Sequence, residues 1–433
     1  MAGRVQLLAS GPQDRFFTIN PDYTYFLQSF RKHSNFAREY VNIDPETTAD
    51  FGGKVRFRVA QNTGDLLNTL SVKIKLPIIT TLLYDDPRYI ESIGHALIEH
   101  VDLIVGGKVI QRLPSDYLQI YTEHNVTQSK QKALRHLIGK YPERTSSERV
   151  SNKDILGIIG TATTEEELFV DLPFYFYNNP ELAIPLCAIK KQEVEVEFKL
   201  RNHDHLIING STGALQPVIP TGSIRLKEFT LCAEVTFLES TERLKIENEK
   251  KDFIITQVQQ NIFDVAQNVQ TGNFKMDFIN PVKELYFVIQ RQGDVGTAEG
   301  EFMTPFDYDN TLADTGGKYI LYENLDYLTL DLDGQPIITQ ETGSVIFLKA
   351  VQAAIHHSKT QLIRRFYSYS FALEPEKWYP TGQINFSLIK EQILNLSLTP
   401  CVDYARQVKV YALSHNILRV GGGIAKTIFD LKY

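Results

Sequence analysis

Cysteine, methionine and tryptophan are scarce in this chain: 3, 3 and 1 among 433 residues. Cys187, Cys232 and Cys401 stand far apart and odd in number. They form neither a metal-ligand spacing nor a disulfide framework, so a reducing compartment is expected. A basic excess is also missing, since 45 Lys and Arg face 52 Asp and Glu for a formal net charge of -7. A surface that grips nucleic acid through its phosphates carries the opposite balance, and direct nucleic-acid contact is not expected. No apolar run approaches the roughly 18 residues of a membrane-crossing helix. The opening Met1 to Asp14 holds only a short, weakly apolar stretch, below a signal-peptide core. The expectation is a soluble protein made in the cytosol.

What the chain has in quantity is aromatic residues, 25 Phe and 21 Tyr, together with period-2 alternation. Leu70, Val72, Ile74 and Leu76 alternate with Ser71, Lys73 and Lys75, and Pro77 ends the run. Val194 to Leu200 repeats the pattern with Glu195 and Glu197 outward. Phe229, Leu231, Ala233, Val235 and Phe237 do so again, as do 328–332 and 367–371. These predict half-buried strands of antiparallel sheets. Leu285 to Ile289 is continuously apolar and predicts a strand buried on both faces. Gly52-Gly53, Gly106-Gly107, Gly316-Gly317 and Asp333-Gly334 mark turns. Helical spacing is brief: Ala133, Leu134, Leu137 and Ile138 predict a helix over 129–140 stopped near Gly139, and Thr163 to Glu166 reads as a capping box. Many short strands with little helix predict an all-β chain of two β-sandwiches.

The charged stretch Glu239 to Lys251 is the expected boundary between them. Asp65 to Leu76 and Asn280 to Ile289 both lead from a polar turn into a buried strand, about half a chain apart, an internal echo of two similar halves. The expected division is an N-terminal arm at 1–50, a first sandwich at 51–240 and a second at 241–433. Residues 84–100, 141–170 and 291–327 are expected to be long polar loops at one end of the sandwiches or at contacts between subunits.

Several residue patterns carry candidate chemistry, and each also has a structural role to fill. His100-Val-Asp102 puts two metal-ligand types on one strand face, and His356, His357 or His415 would complete a 2-His-1-carboxylate iron site. A strand with solvent-facing polar residues accounts for the pattern better. His203-Asp-His205 reads as a surface loop, the adjacent His356 and His357 as opposite faces of a strand, and Gly421 to Gly423 as a flexible loop without the Lys-Ser/Thr of a phosphate site. Glu193, Glu195 and Glu197 are carboxylates a glycosidase would use, but consecutive outward acids suit a solvated face. No Gly-x-Ser-x-Gly elbow, phosphate loop or His-Glu-x-x-His occurs. Sequons at Asn125, Asn209, Asn385 and Asn395 read as chance occurrences in a chain without a signal peptide. The expectation is no catalytic residue, no cofactor and no metal.

An ordered series of motifs then narrows the reading. It runs from Gln6 to Asp14 (QLLASGPQD) through Phe17-Thr-Ile-Asn-Pro21, Thr24-Tyr-Phe26, Arg31 to Ala37 (RKHSNFA), Asp50-Phe-Gly-Gly53 and Gly64-Asp-Leu-Leu67. It continues at His95-Ala-Leu-Ile98, Val105-Gly-Gly107, Leu172 to Tyr177 (LPFYFY) and Asn179 to Leu186 (NPELAIPL). The second half adds Asn280-Pro-Val-Lys-Glu-Leu285, Tyr369 to Pro375 (YSFALEP), Pro380-Thr-Gly382, Asn385-Phe-Ser387, Val410-Tyr-Ala-Leu413 and Asn416-Ile-Leu-Arg419. The series resembles the major capsid proteins of the nucleocytoplasmic large DNA viruses, of chlorella-virus and iridovirus type, with Asn280 where that family usually has His. The resemblance implies a double jelly roll of two tandem eight-stranded sandwiches. It further implies homotrimers of pseudo-hexagonal outline that tile an icosahedral shell over an internal membrane, late synthesis in the host cytoplasm, and minor capsid and penton proteins as partners. Two alternatives remain at this point. One is a minor capsomer of the same type, decided by copy number per particle. The other is a carbohydrate-binding or carbohydrate-cleaving sandwich, decided by glycan-array and hydrolysis assays.

Overall fold

The structure, a computed structural model, describes residues 2–27, 32–79, 87–139, 150–151, 166–177, 179–209, 224–292, 306, 308, 310–314, 318–360, 366–401 and 404–429. It divides into a small unit, Met1–Phe36, and a large one, Ala37–Tyr433. In the small unit, α1 (Ala2–Leu8) and α2 (Pro12–Thr18) are single short helices. Pro12 opens α2, where its missing N–H costs nothing, and the Gly11 N–H donates to the Asp14 carboxylate at 2.7 Å.

The large unit is built on sixteen principal strands. The first eight are β1 (Phe36–Ile43), β2 (Lys54–Val59), β3 (Leu66–Leu76), β4 (Ile98–Val105), β5 (Lys108–Pro114), β6 (Glu166–Asp171), β7 (Val194–Leu200) and β8 (Glu228–Leu238). The second eight are β9 (Lys251–Val265), β10 (Thr271–Lys275), β11 (Pro281–Arg291), β12 (Leu325–Leu332), β13 (Gln335–Ile338), β14 (Tyr367–Ser370), β15 (Gln392–Leu398) and β16 (Arg406–Gly421). The first set pairs in the orders β1-β8-β3-β6 and β2-β7-β4-β5. The second pairs in the orders β9-β16-β11-β14 and β10-β15-β12-β13, so every strand has its counterpart eight positions on. Even the short strands Ile184–Pro185 and Ile384–Asn385 match, pairing with the counterparts β3 and β11. This is the jelly-roll wiring, carried out twice. The echo read between 65–76 and 280–289 falls on those same counterparts.

Alternation decides which face turns inward. Along β7 the side chains of Val194, Val196, Phe198 and Leu200 are buried while Glu195, Glu197 and Lys199 are half-buried. Each such apolar side chain contributes about 1.5–3 kcal/mol by leaving water. Phe237, expected inward on β8, is 38% exposed although Val235 before it is buried: it lies beyond Thr236, the last residue of β8 paired with β3. Two-residue turns close equivalent hairpins: Gly106 and Gly107 (φ +58° and +76°) join β4 to β5, and Asp333 and Gly334 (φ +48° and +76°) join β12 to β13. Both central residues at positive φ suit the right-handed twist of the strands.

Helices decorate the first sandwich: α3 (Ile93–Leu97), α4 (Ser115–Asn125) and α5 (Gln128–Ile138). The 129–140 helix is thus present as α5, with Gly139 at φ +69° ending it in the left-handed conformation. The charged stretch at 239–251 contains α6 (Ser240–Asn248), and a π-turn at Phe347–Val351 leads into α7 (Gln352–His356). The region 84–100 is not a polar outer loop where described: Ile90, Ile93, Ala96 and Leu97 are buried, because α3 packs beneath α4 and α5. Most of 141–165 and 293–305, Gly316-Gly317 and Thr163 to Glu165 lie outside the described residues. Glu166 begins β6, and Phe306 and Tyr308 are buried.

Candidate functional site: the seam between the sandwiches

The sheet β9-β16-β11-β14 is covered on both faces. One face sends Leu285, Phe287, Ile289, Val408, Val410 and Ala412 into the core of its own sandwich. The other sends Phe253, Ile255, Tyr286, Val288, Tyr411 and Leu413 into the core that belongs mainly to the first sandwich. This explains the unbroken apolar run of β11: odd and even positions both meet protein.

Through this second face runs α4. Pro114 precedes it with extended backbone, and all its residues but Tyr121 and Asn125 are buried. It has no solvated face, so the polar groups it carries must find partners inside. Asp116 is such a group: it accepts hydrogen bonds from Tyr308 Oη at 2.9 Å, Lys409 Nζ at 2.8 Å and Tyr411 Oη at 2.8 Å. Burial pushes its carboxyl upward, but the Lys409 ammonium and the hydrogen bonds outweigh this and hold it below the usual carboxylate range.

At the other end of α4, His124 stacks on His357, which directly follows α7, with ring centroids 3.9 Å apart and planes 20° apart. His357 Nε2 lies 2.6 Å from Glu284 Oε1, and Tyr286 donates to Glu284 Oε2 at 2.8 Å. Burial pulls the imidazole of His357 down, yet Glu284 more than compensates and its pKa is raised. Burial raises the Glu284 carboxyl, and His357 reverses that too, so the pair is held as an ion pair. The seam is sewn further along by Gln257 Nε2 donating to the Ile110 carbonyl at 2.7 Å. A tight hairpin formed by β16 and Ile424–Thr427 also contributes. There the Lys191 N–H donates to the Gly423 carbonyl at 2.9 Å and the Ala425 N–H to Gln192 Oε1 at 2.6 Å.

The residues singled out from sequence are dispersed, not gathered. Asp102 does not face solvent: it is buried and receives a two-pronged contact from Arg112 at 2.7 and 2.6 Å, which satisfies a carboxylate on a covered strand. His356 and His357 sit at a helix end and not on a strand, with His356 Nδ1 3.1 Å from the Leu373 carbonyl. His415 is buried on β16. His203 is not on a surface loop: it is buried in a 3-10 turn, with Nδ1 2.6 Å from Asp204. Gly421 to Gly423 form the hairpin turn just described, with Gly422 and Gly423 at positive φ, and not a flexible loop. Glu197 is paired with Lys54 and Arg56, and Glu193 with Arg58, so these acids line a cross-strand ion-pair ladder. Asn385 caps the Ser387 N–H, Asn395 bonds Asp331 on β12, and Asn125 Nδ2 donates to the Tyr121 carbonyl. Asn209 ends the short strand Ile207–Asn209. Among the described residues no group of three or more His, Cys, Asp or Glu is placed to hold a metal ion, and no helix is long and apolar enough to cross a membrane.

Asp116, His124, Glu284 and Lys409 were missed by sequence reading. The signal available was Tyr117, Ile120, Tyr121 and His124 at helical spacing after Pro114, obscured by the lack of a polar face.

Two family models match in succession: "Major capsid protein N-terminus" over 24–238 and "Large eukaryotic DNA virus major capsid protein" over 242–426. The major capsid protein of Pyramimonas orientalis virus is 28% identical over 427 residues, covering 98% of both chains. That of Phaeocystis pouchetii virus is 26% identical, again over 98% of both. Among solved structures, a chain of the Paramecium bursaria Chlorella virus 1 capsid superposes with a TM-score of 0.73 at 20% identity, covering 94% of this chain and all of that one.

Proposed function

Because the chain belongs to the major capsid protein family of large eukaryotic DNA viruses, we propose that its work is to be a shell brick: a double jelly roll whose activity is shape. It is a structural protein of the virion capsid, and it acts by packing against copies of itself. The observation that carries the reading is the buried seam. Two sandwiches of the same wiring, locked by α4 and by a shared core, behave as one stiff block with two similar lobes.

Three such blocks side by side present six similar lobes, and this supports a homotrimer of pseudo-hexagonal outline that tiles an icosahedral face. A permanent trimer calls for an interface on the order of several thousand Å². Neighbouring trimers, minor capsid proteins and a penton protein are the proposed partners, with an internal membrane beneath the shell and synthesis in the host cytoplasm. The proposed division is an arm at 1–50 and lobes at 51–240 and 241–433, with β1 adding the outermost strand of the first lobe. A role without catalysis is supported by the main charged groups of the seam being paired with one another, Asp116 with Lys409 and Glu284 with His357.

Native mass measurement and electron microscopy of the purified protein test this. Threefold particles with hexagonal outline are expected; a chain that stays monomeric at micromolar concentration overturns the trimer.

A further inference from the structure

The seam holds a group whose charge decides how well it packs. His124 is buried at the end of α4, sandwiched face-on by His357 at 3.9 Å and edge-on by Phe366 at 5.0 Å. Its Nδ1 lies 2.9 Å from Thr360 Oγ1, and its Nε2 has no hydrogen-bond partner among the described residues. Charged and titratable groups reach the two rings from each element around them. On β11 these are Lys283, Glu284 and Tyr286. Beyond α7 there is Glu376, with Oε1 3.9 Å from His357 Nδ1; on α4 itself the buried Glu123 adjoins His124 in sequence, and Tyr117 meets Tyr286 with ring centroids 6.4 Å apart. On β16, His415 lies near Lys283.

Glu284 is already engaged by His357 and Tyr286, and Lys283 donates to the Pro375 carbonyl at 2.8 Å. A proton on His124 would therefore place a second imidazolium flat against the first, in a space closed to water, with Glu284 committed elsewhere. Two like charges at stacking distance repel strongly where solvent cannot screen them.

We propose that the stacked pair makes the seam an acid-sensitive joint: with His124 neutral the lobes are locked, and protonating it drives α4 away from the second sandwich. This goes beyond the shell role and does not depend on it. Burial, then the charge of His357, pushes His124 down from 6.5 to about 3. Its folded value is depressed, so the unfolded chain binds the proton first. Stability is full above 6.5 and drains as pH falls toward 3. His415, lowered to about 4 by burial and then Lys283, has the same sign. His357 has the opposite sign: its contribution is full below 6.5 and is lost as pH rises through its raised folded value. The joint is firmest near neutrality.

The test is denaturant unfolding of the purified full chain at pH 7.5, 6.5, 5.5 and 4.5. The unfolding constant is expected to rise by up to about tenfold per pH unit below 6.5 for each depressed histidine. His124→Gln should remove about one such factor, while the exposed His205→Gln should keep the whole slope. A flat wild-type profile overturns the proposal, and so does a slope that survives His124→Gln but vanishes in His415→Gln. If His124→Gln does not fold, amide exchange of the wild type decides. On moving from pH 7.5 to 5.5, with intrinsic rates corrected, protection should fall in 115–125 and 352–357 but not in the β2–β7 pair. An equal change in both overturns the idea.

Discussion

Asp116 and Lys409 show what a single buried charge can cost. Removing the carboxylate in Asp116→Ala leaves the Lys409 ammonium and the hydroxyls of Tyr308 and Tyr411 facing an empty site. Breaking such a pair typically costs about 3–5 kcal/mol. Replacing both members, as in Asp116→Leu with Lys409→Met, should cost clearly less than the two single changes summed, read by urea denaturation of all four proteins. The depressed folded pKa of Asp116 sets its pH dependence: its stabilisation is present above 3.8 and is lost as pH falls through that lower folded value. Nothing in the sequence singled out Asp116 from 52 acids, since its partners on β16 are almost 300 positions away. His100 and Asp102 stood out because local spacing is visible. The Arg112 that claims Asp102 reaches it across a hairpin, a contact that spacing along one strand does not reveal.

Strands were readable and helices less so, and the reason is which faces meet water. Alternation on β3, β7 and β12 follows from one covered face and one wetter one. α5 was readable from its helical apolar spacing and its closing Gly139. α4 has no wet stripe, so its helical spacing had no polar face to set it off, and β1 is covered only at Val41 and Ile43, the rest of its residues being exposed. Glycines at element ends give a graded test. At Gly107, φ +76° with open space around a new Cβ, Gly107→Ala should cost about 1 kcal/mol of left-handed strain alone. At Gly139, φ +69° with Ile93 Cγ2 2.8 Å from the new Cβ, Gly139→Ala should cost about 2 kcal/mol or more, strain and overpacking together. Thermal midpoints of the two variants should fall in that order; equal midpoints would show that Ile93 yields freely.

At the scale of the whole molecule, the shared core argues for one unfolding event. Phe253, Ile255, Tyr286 and Tyr411 of the second lobe lie in the cluster of the first, so neither lobe can open without exposing the other. Calorimetry of the full chain should show a single transition. Residues 241–433 expressed alone should aggregate or remain loosely packed, and two separate transitions would show that the seam is a weak contact. Two lobes were foreseen from the charged stretch at 239–251 and the echo of β3 in β11; their mutual burial was not, because both faces of an apolar strand look alike in sequence. The wiring also bears on how the chain is made. In each lobe the last of the eight principal strands to be synthesised sits inside a sheet: β8 between β1 and β3, and β16 between β9 and β11. As the ribosome adds about 5–20 residues per second, β9 and β11 must wait with open edges for more than a hundred further residues before β16 arrives to fill the gap. The nascent second lobe therefore exposes unpaired strand edges for several seconds at least, a window in which it is prone to pair with other chains until β16 emerges.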